Sequence, residues 1–473
     1  MTRFAPLCIF LMALLFSCTP PSEKITTSSG AKLSFSQDSI LFDTIFSSLG
    51  STTQLVTIYN PNKNAVKTDI KLGGGSSSSY TLIINGAQSI NSNLEIDGGD
   101  SIFILITVLI NPEDKNLPYV VHDSIVFTTN GNVQTVQLEA YGRDANFIRG
   151  PININLSNCN VVWNDPKPYV LYNTVTVAAG CTLSIPKGAK VYAHGNALLA
   201  VNGTLLVNGT KSSPVVFNGD RLEVSYATVP GQWTGILFGN QSTGNSINWA
   251  VIENATDGIE MSPRPAKTDS ISGFDLVISN SIIKNMSDQA LKAVGANIYA
   301  YNSLFTNCAS YIISADGGGN YYFYYCTIAG YSPSLFRNNQ ALQIGAYCVP
   351  SDSSVLTGSV NARLINTIVW GDGTFANELV LLKEGMFNFY AMYNLVYDST
   401  SINLTATGDK VYGPLDTLNP QFNSPYNLDF HLGSGSDAIG AGIPLSVNGV
   451  TITTDLDSVV RSTTRPSIGA YEK

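Results

Sequence analysis

Two short segments of similar pattern, GIEM and ALKA, place Glu260 and Lys292 at equivalent positions. A carboxylate beside an ammonium can serve as general acid and base on a polar substrate. The same two groups can equally form a surface salt bridge worth about 0 to 1 kcal/mol. Arg264 and Asp316 fall at nearby turns, while Ile313, Gln343 and Val380 extend the column without adding a third carboxylate. Glu260 and Lys292 are therefore the candidate catalytic residues, with no cluster around them that fixes a reaction. His122, His194 and His431 are the only histidines. His194, beside Gly195, reads as a solvated turn residue rather than a base. The chain has no nucleophile motif, phosphate loop or metal-ligand spacing.

Aromatic rings offer a second kind of chemistry. In NYYFYYCTIAGY (Asn320 to Tyr331) strict alternation sends Tyr322 and Tyr324 inward and leaves Phe323 and Tyr325 outward. Tyr299, Tyr301 and Tyr393 join that outward face, so the candidate binding residues are Tyr299, Tyr301, Phe323, Tyr325 and Tyr393. A ribbon of such rings suits sugar rings or a partner protein. Alternatively the rings stack only to stabilise a sheet, or lie under the loop Ala346 to Val360.

What would position these groups is a repeat. LVISNSIIKN, IYAYNSLFTN, YFYYCTIAGY, ARLINTIVWG and YAMYNLVYDS align on the pivots Asn280, Asn302, Cys326, Asn366 and Asn394, spaced at about 22 residues plus variable loops. Residues two and four before each pivot are mostly apolar and share one face. After the pivot come a small residue, a second short strand, a turn and a third strand. Three strands and three turns make one coil of a parallel β-helix, in which each strand pairs with its equivalent above and below. The pivot is a corner needing left-handed backbone, which Asn tolerates. Stacked corners would let Asn280, Asn302, Asn366 and Asn394 form a structural amide ladder. Between Tyr169 and Ser399 there is room for about nine or ten coils.

Composition agrees. Only 12% of the 473 residues are charged and 41 are Gly, a mixture that favours strands and tight turns. The net charge of −9 argues against nucleic acid as a partner. Residues 32–144 carry short alternating runs with a tight hairpin at TNGN (Thr129 to Asn132), as a β-sandwich requires. Asp97 and Asp100 in DGGD could hold calcium or simply sit in a solvated turn. Apart from Cys8 and Cys18, five cysteines remain; Cys159 and Cys181 either pair as a disulfide or are buried as small apolar side chains. The count and spacing give no zinc site.

Several segments resemble known families. LFSC (Leu15 to Cys18), after a short apolar run, resembles the lipobox of bacterial lipoproteins. That resemblance implies a signal peptide at 1–18, lipidation of Cys18, a flexible tether at 19–31, and attachment to a membrane, most simply the outer membrane of a Gram-negative cell envelope. VTIYNPNKNAV (Val56 to Val66) and VQLEAYGRD (Val136 to Asp144) resemble immunoglobulin-like modules of bacterial surface proteins. The repeats resemble the right-handed parallel β-helix superfamily that includes pectate lyases. NLDFHLGSGSDAIGAG (Asn427 to Gly442) and TDLDSVVRSTTRPSIGAYE (Thr454 to Glu472) are similar to the choice-of-anchor Q signature of surface β-helix proteins. Ser458 and Ser467 stand where that signature carries Gly and Asp, which weakens any calcium role for Asp455 and Asp457.

The chain is thus expected to be all-β: an immunoglobulin-like β-sandwich at 32–144, a right-handed parallel β-helix at 145–419, and a C-terminal capping segment at 420–473. β-Helix lyases and hydrolases use calcium-bound carboxylates with a basic residue, or two or three aspartates, and no residue set here matches either pattern. The expected function is a lipid-anchored envelope protein that binds glycan or another surface macromolecule without catalysis and without a required cofactor. A polysaccharide lyase or glycoside hydrolase, and a structural or adhesive surface rod, are the alternatives.

Overall fold

The computed structural model describes residues 23–88, 93–112, 118–150, 152–154, 159–264, 273–333, 335–348, 355–398, 410–412, 418–447 and 450–473. Cys18, the leader and the start of the tether lie outside the described residues. The chain divides into two compact units, Met1–Asp144 and Ala145–Lys473.

The first unit holds two sheets. Ser34–Phe35, Gln54–Tyr59, Ser101–Val108 and Tyr80–Ile84 form one; Ser39–Phe46, Asn132–Arg143, Tyr119–Thr129, Val66–Leu72 and Leu94–Ile96 form the other. All pairings are antiparallel except that of Ser39–Phe46 with Asn132–Arg143. Alternation supplies the core: in Ser101–Val108, Ile102, Ile104, Ile106 and Val108 are buried among Val56, Ile58, Ile125, Phe127, Val136 and Leu138. The expected hairpin is present, with Asn130 and Gly131 both at positive φ, as a tight two-residue turn requires. This is a β-sandwich.

The second unit is a parallel β-helix. Each coil contributes a strand before the corner, one after it and a third beyond a longer turn; we call the stacked sets the first, second and third faces. The first face runs through nine parallel strands, including Leu276–Ser279, Asn297–Tyr301, Gly319–Tyr324, Val360–Ile365 and Phe387–Met392. The second face includes Ile282–Met286, Leu304–Cys308, Thr327–Gly330 and Ile368–Gly371, and the third Ile259–Met261, Leu291–Val294, Ile313–Asp316, Leu342–Gly345 and Leu379–Leu382. These two faces join in one 18-stranded parallel sheet. Inside runs a continuous apolar core, for example Ile278, Ala300, Phe323 and Leu364 down the first face. Early in the helix, Cys159 and Cys181 are joined by a disulfide across adjacent coils.

Left-handed residues mark the corner between first and second faces: Trp249, Asn280, Asn302, Tyr325, Asn366 and Tyr393, with φ from 47 to 57°. Asn280 donates to the Asn248 Oδ1 at 2.9 Å, and Asn302 to the Asn280 Oδ1 at 3.2 Å. Of the four amides anticipated as a ladder, only Asn280 and Asn302 are bonded to each other. The file stops at Tyr325, because the corner there is Tyr325 and not Cys326. Asn394 likewise lies one residue past the corner at Tyr393; it is buried, accepting from the Thr367 amide at 2.9 Å and donating to the Leu364 carbonyl at 2.8 Å. Asn366 turns instead to the C-terminal segment, exchanging hydrogen bonds with the Ile443 carbonyl (2.7 Å) and amide (3.1 Å).

Two further amide files were not anticipated. Asn254, Asn285 and Asn307, all left-handed, form the corner between second and third faces. Asn285 donates to Asn254, and Asn307 to Asn285 at 2.9 Å. On the outside of the first face, Asn320 donates to Asn297 at 2.5 Å and Asn361 to Asn320 at 3.2 Å.

The C-terminal segment lies along the flank of the coils. Phe430, Leu456, Ala470 and Tyr471 pack on Leu304 and Ala329 of the second face. Arg461, buried, donates to the Asn302 Oδ1 at 2.9 Å and stacks on Tyr325, its guanidinium carbon 3.9 Å from the ring centre. A second buried cation, Arg337, makes a bidentate pair with Glu378 at 2.7 Å for both bonds, which pins the connection after Gly330 against the third face.

Candidate functional site

On the third face the pairing register sets Glu260, Lys292, Ser314, Gln343 and Val380 in one outward column. Ser314 therefore replaces the expected Ile313, which points into the core. Glu260 and Lys292 sit one coil apart as anticipated, 3.2 Å from Oε1 to Nζ, each about one-third exposed. Burial alone would lower the Lys292 ammonium, but Glu260 and Asp257 outweigh it and hold it above its usual range. Asp257, which sequence reading overlooked, lies in the turn before this column; its Oδ1 accepts the Gln289 amide at 3.2 Å. Burial, reinforced by Asp288, pushes its carboxyl up to about 6.

The neighbours expected at this site do not join it. Arg264 is buried, donating to the Ser242 and Gly239 carbonyls and lying 3.5 Å from Asp275, so it is structural. Asp316 is also buried, accepts from Gln343 at 2.9 Å, and is raised to about 6 by burial.

Tyr299 and Tyr301 face outward as expected, but within Gly319–Tyr324 the alternation is the reverse of that expected. Tyr322 pairs with Tyr299, and Tyr324 with Tyr301, in two outward columns; Phe323 pairs with Ala300 and is in the core. Tyr325, assigned outward, is a buried corner residue whose hydroxyl donates to the Ile443 carbonyl at 2.6 Å. Tyr393 is a half-buried corner residue, not a member of the ribbon. The reason is a one-residue shift: with the corner at Tyr325, every preceding side chain changes face.

Down the first face the outward columns read Tyr299, Tyr322, Arg363, Tyr390, then Tyr301, Tyr324, Ile365, Met392, and Asn297, Asn320, Asn361, Asn388. The upper rings are packed with Ile443 and Leu445 of the C-terminal segment; Tyr299, Tyr322 and Tyr324 are buried. Tyr299 and Tyr301 still line a cleft of about 410 Å³ with Phe274, Asn302 and Thr451 to Thr454. Lower down, Asn361, Arg363, Asn388 and Tyr390 line a more open groove of about 680 Å³. Arg363 lies 5.0 Å above the Tyr322 ring, and Tyr390 is 46% exposed. An exposed ring, a planar cation and amides along a shallow groove can stack on and hydrogen-bond a polyhydroxylated chain.

Other residues serve structure. Cys18 is outside the described residues. Asp97 and Asp100 belong to one turn, with Asp100 accepting the Ser101 amide at 2.7 Å. Asp455 accepts the Asp457, Val459 and Glu472 amides, and Asp457 pairs with Lys211 and His431. Among the described residues no cluster of three or more His, Cys, Asp or Glu is placed to hold a metal ion. His194 is not a free turn residue: its Nδ1 lies 2.6 Å from the buried Asp220 and its ring stacks on Tyr172.

Comparison with known proteins gives the class of fold and no more. A family model described as a pectate-lyase like beta helix domain matches residues 154–262. No curated protein matches the sequence. Solved structures that share a portion include a family 123 glycoside hydrolase from Clostridium perfringens (10% identity, 24% of this chain and 25% of that one, TM-score 0.19). The VesB protease of Vibrio cholerae (13%, 24% and 31%, TM-score 0.17) and a PapD-like domain of human CEP192 (11%, 27% and 90%, TM-score 0.17) are others. The chain covers 25% and 31% of the first two of these, and similarity this low carries no functional argument.

Proposed function

We propose that this is a lipid-anchored cell-envelope protein whose β-helix binds polysaccharide along its first face without cleaving it. The observation that carries the reading is the groove bearing Asn361, Arg363, Asn388 and Tyr390 on adjacent coils. Adjacent parallel strands repeat at about 4.8 Å, a spacing comparable to one sugar unit, so a chain laid along the helix axis meets a fresh set of side chains at each step. Anchoring rests on LFSC at Leu15 to Cys18 and the polar stretch that follows it.

A second reading, cleavage on the third face, is favoured by one observation: Asp257, raised to about 6, lies beside the Glu260–Lys292 pair and would hold a proton at mildly acidic pH. One experiment separates the two. The chain from Thr19 onward is run by affinity electrophoresis in gels containing neutral and acidic polysaccharides, with new chain ends assayed in parallel. Binding predicts retardation that Tyr390→Ala weakens at least several-fold, with no new ends. New ends that disappear in Glu260→Ala and Lys292→Ala would transfer the function to the third face. Failure of every polysaccharide to retard the protein would overturn binding and leave the role of a surface rod.

A further inference from the structure

The C-terminal segment lies along the flank of the coils rather than across their end. Among the described residues no strand pairs with the far side of Phe387–Met392, the last strand of the first face. The Met386 and Met392 carbonyls accept the Val360 and Asn366 amides, so strand alternation turns the N–H and C=O groups of Phe387, Phe389 and Ala391 toward that open side. Edge strands of soluble proteins are ordinarily blunted by brevity, by Lys or Pro, or by a bulge. Phe387–Met392 has none of these: it runs for 6 residues in unbroken register with Val360–Ile365 and carries neither a charge nor a proline. The opposite end of the same face is blunt by contrast, ending in the 3-residue strand Asn160–Val162 beside the Cys159–Cys181 disulfide. Phe387 and Phe389 face the core yet are only half-buried, whereas Val360 and Ala362 one coil above are buried. These two rings line the groove of about 680 Å³ together with outward Asn388, Tyr390 and Met392, so the groove passes over the edge of the strand.

The three faces end in steps. The third stops at Leu379–Leu382, the first one coil further on at Phe387–Met392, and the second one coil beyond that at Lys410–Tyr412. A two-fold axis through the middle of the first face exchanges the second and third. A face that projects by one strand spacing in one copy then meets, in the other, a face recessed by one spacing, and all three faces are continued together. A foreign strand would continue only the first.

We infer that this open end receives a second copy of the chain, end to end and antiparallel, with Phe389 of each copy opposite its own equivalent. That register sets Phe387 against Ala391, a large side chain against a small one on the core side, and Asn388 against Tyr390, an amide beside a phenol on the outside. The backbone groups of Phe387, Phe389 and Ala391 are then the ones that exchange hydrogen bonds. Charge permits the contact, because the strand has no charged side chain in a molecule of net charge −9 whose copies repel elsewhere. Such a contact is isologous and closed, so it gives a dimer and no filament. It uses the edge of the strand and stands whether or not the outward groove binds glycan.

Sedimentation equilibrium of the chain from Thr19, at micromolar concentration, tests this; the expected mass is that of two chains. Asn388→Glu combined with Tyr390→Glu sets like charges opposite each other across the two-fold axis and should raise the dissociation constant about tenfold or more. Asn388→Lys combined with Tyr390→Glu sets opposite charges there and should keep the dimer. Ala391→Pro removes an edge N–H without touching the bonds to Val360–Ile365, and should also yield monomer. Unchanged far-ultraviolet circular dichroism identifies the variants that are folded. A wild-type chain that stays monomeric, a mass above two chains, or a dimer that both the Glu–Glu variant and Ala391→Pro leave intact would overturn the assignment. Equal dissociation constants for the Glu–Glu and Lys–Glu variants would overturn the register.

Discussion

Asp257 carries a pH dependence whose sign follows from its burial. Its carboxyl titrates near 6 in the fold, above its ordinary value of 3.8. Between those values the folded protein holds more protons than the unfolded chain, so this group's contribution to stability falls as pH rises through the window. Asp257→Asn keeps an oxygen for the Gln289 amide and removes the buried charge. It is expected to stabilise the protein at pH 7.5 by about 1–2 kcal/mol, allowing for partial solvent access, and to change it little near pH 4. Urea midpoints at the two values check this; equal shifts at both would refute it. Asp257 was hard to find in the sequence because it lies in a turn, outside the strand alternation that exposed Glu260 and Lys292. The error over Phe323 and Tyr325 has a sharper cause. Asn and Gly are the residues expected at left-handed corners, yet Tyr325 and Tyr393 occupy two of them. An aromatic corner is invisible to a search keyed on amides, and shifting the corner by one residue inverted the face assigned to each ring before it.

At the level of the elements, the amide file at the corner between second and third faces gives the clearest expectation. Asn285 stands between Asn254 and Asn307, all three buried. Asn285→Ala would leave an acceptor on Asn254 and a donor on Asn307 without partners, and would place a Cβ residue with no compensating side-chain bond at φ 61°. A loss of about 3–4 kcal/mol is expected from the two orphaned groups and the backbone together. Asn285→Gly relieves only the backbone part and should recover about 1 kcal/mol of it. Urea unfolding of the two variants measures the difference, and equal losses would show that the backbone conformation contributes nothing. The repeat itself was legible because apolar residues two and four before each pivot, such as Leu276 and Ile278, recur with period two. This second file was not, although IIKN and LFTN each end on its asparagine: an amide that closes a short strand has the same sequence signature as an ordinary turn residue.

For the molecule as a whole, the C-terminal segment is held to the coils partly by charge. His431 lies 2.6 Å from both Asp429 and Asp457, rests against Tyr471, and Asp457 in turn pairs with Lys211 on a coil turn. Burial alone would lower the imidazole, but the two carboxylates outweigh it and raise its affinity for the proton. A raised histidine contributes stability that is complete below about pH 6.5 and is lost as pH rises through its higher folded value. Hydrogen exchange of Phe430, Leu432 and Leu456 amides is therefore expected to accelerate, beyond its intrinsic base dependence, from pH 6 to pH 8.5. His431→Gln should remove that extra dependence, and an unchanged profile in the variant would exclude the histidine as its source. The sequence leads one to expect a segment that closes the open end of the coils; that it lies instead along their flank could not be read, since nothing local ties Lys211 to Asp457 or Thr327 to Ala470.

Those long-range ties set an order of events during synthesis. Coils can stack one upon another as they leave the ribosome, yet Leu304 and Ala329 keep a bare oily flank until the stretch from Phe430 to Tyr471 has been made and has folded back over them. A nascent chain interrupted before that stretch would present the flank to chaperones or to its neighbours, so arrival of the segment marks the moment at which these side chains leave water.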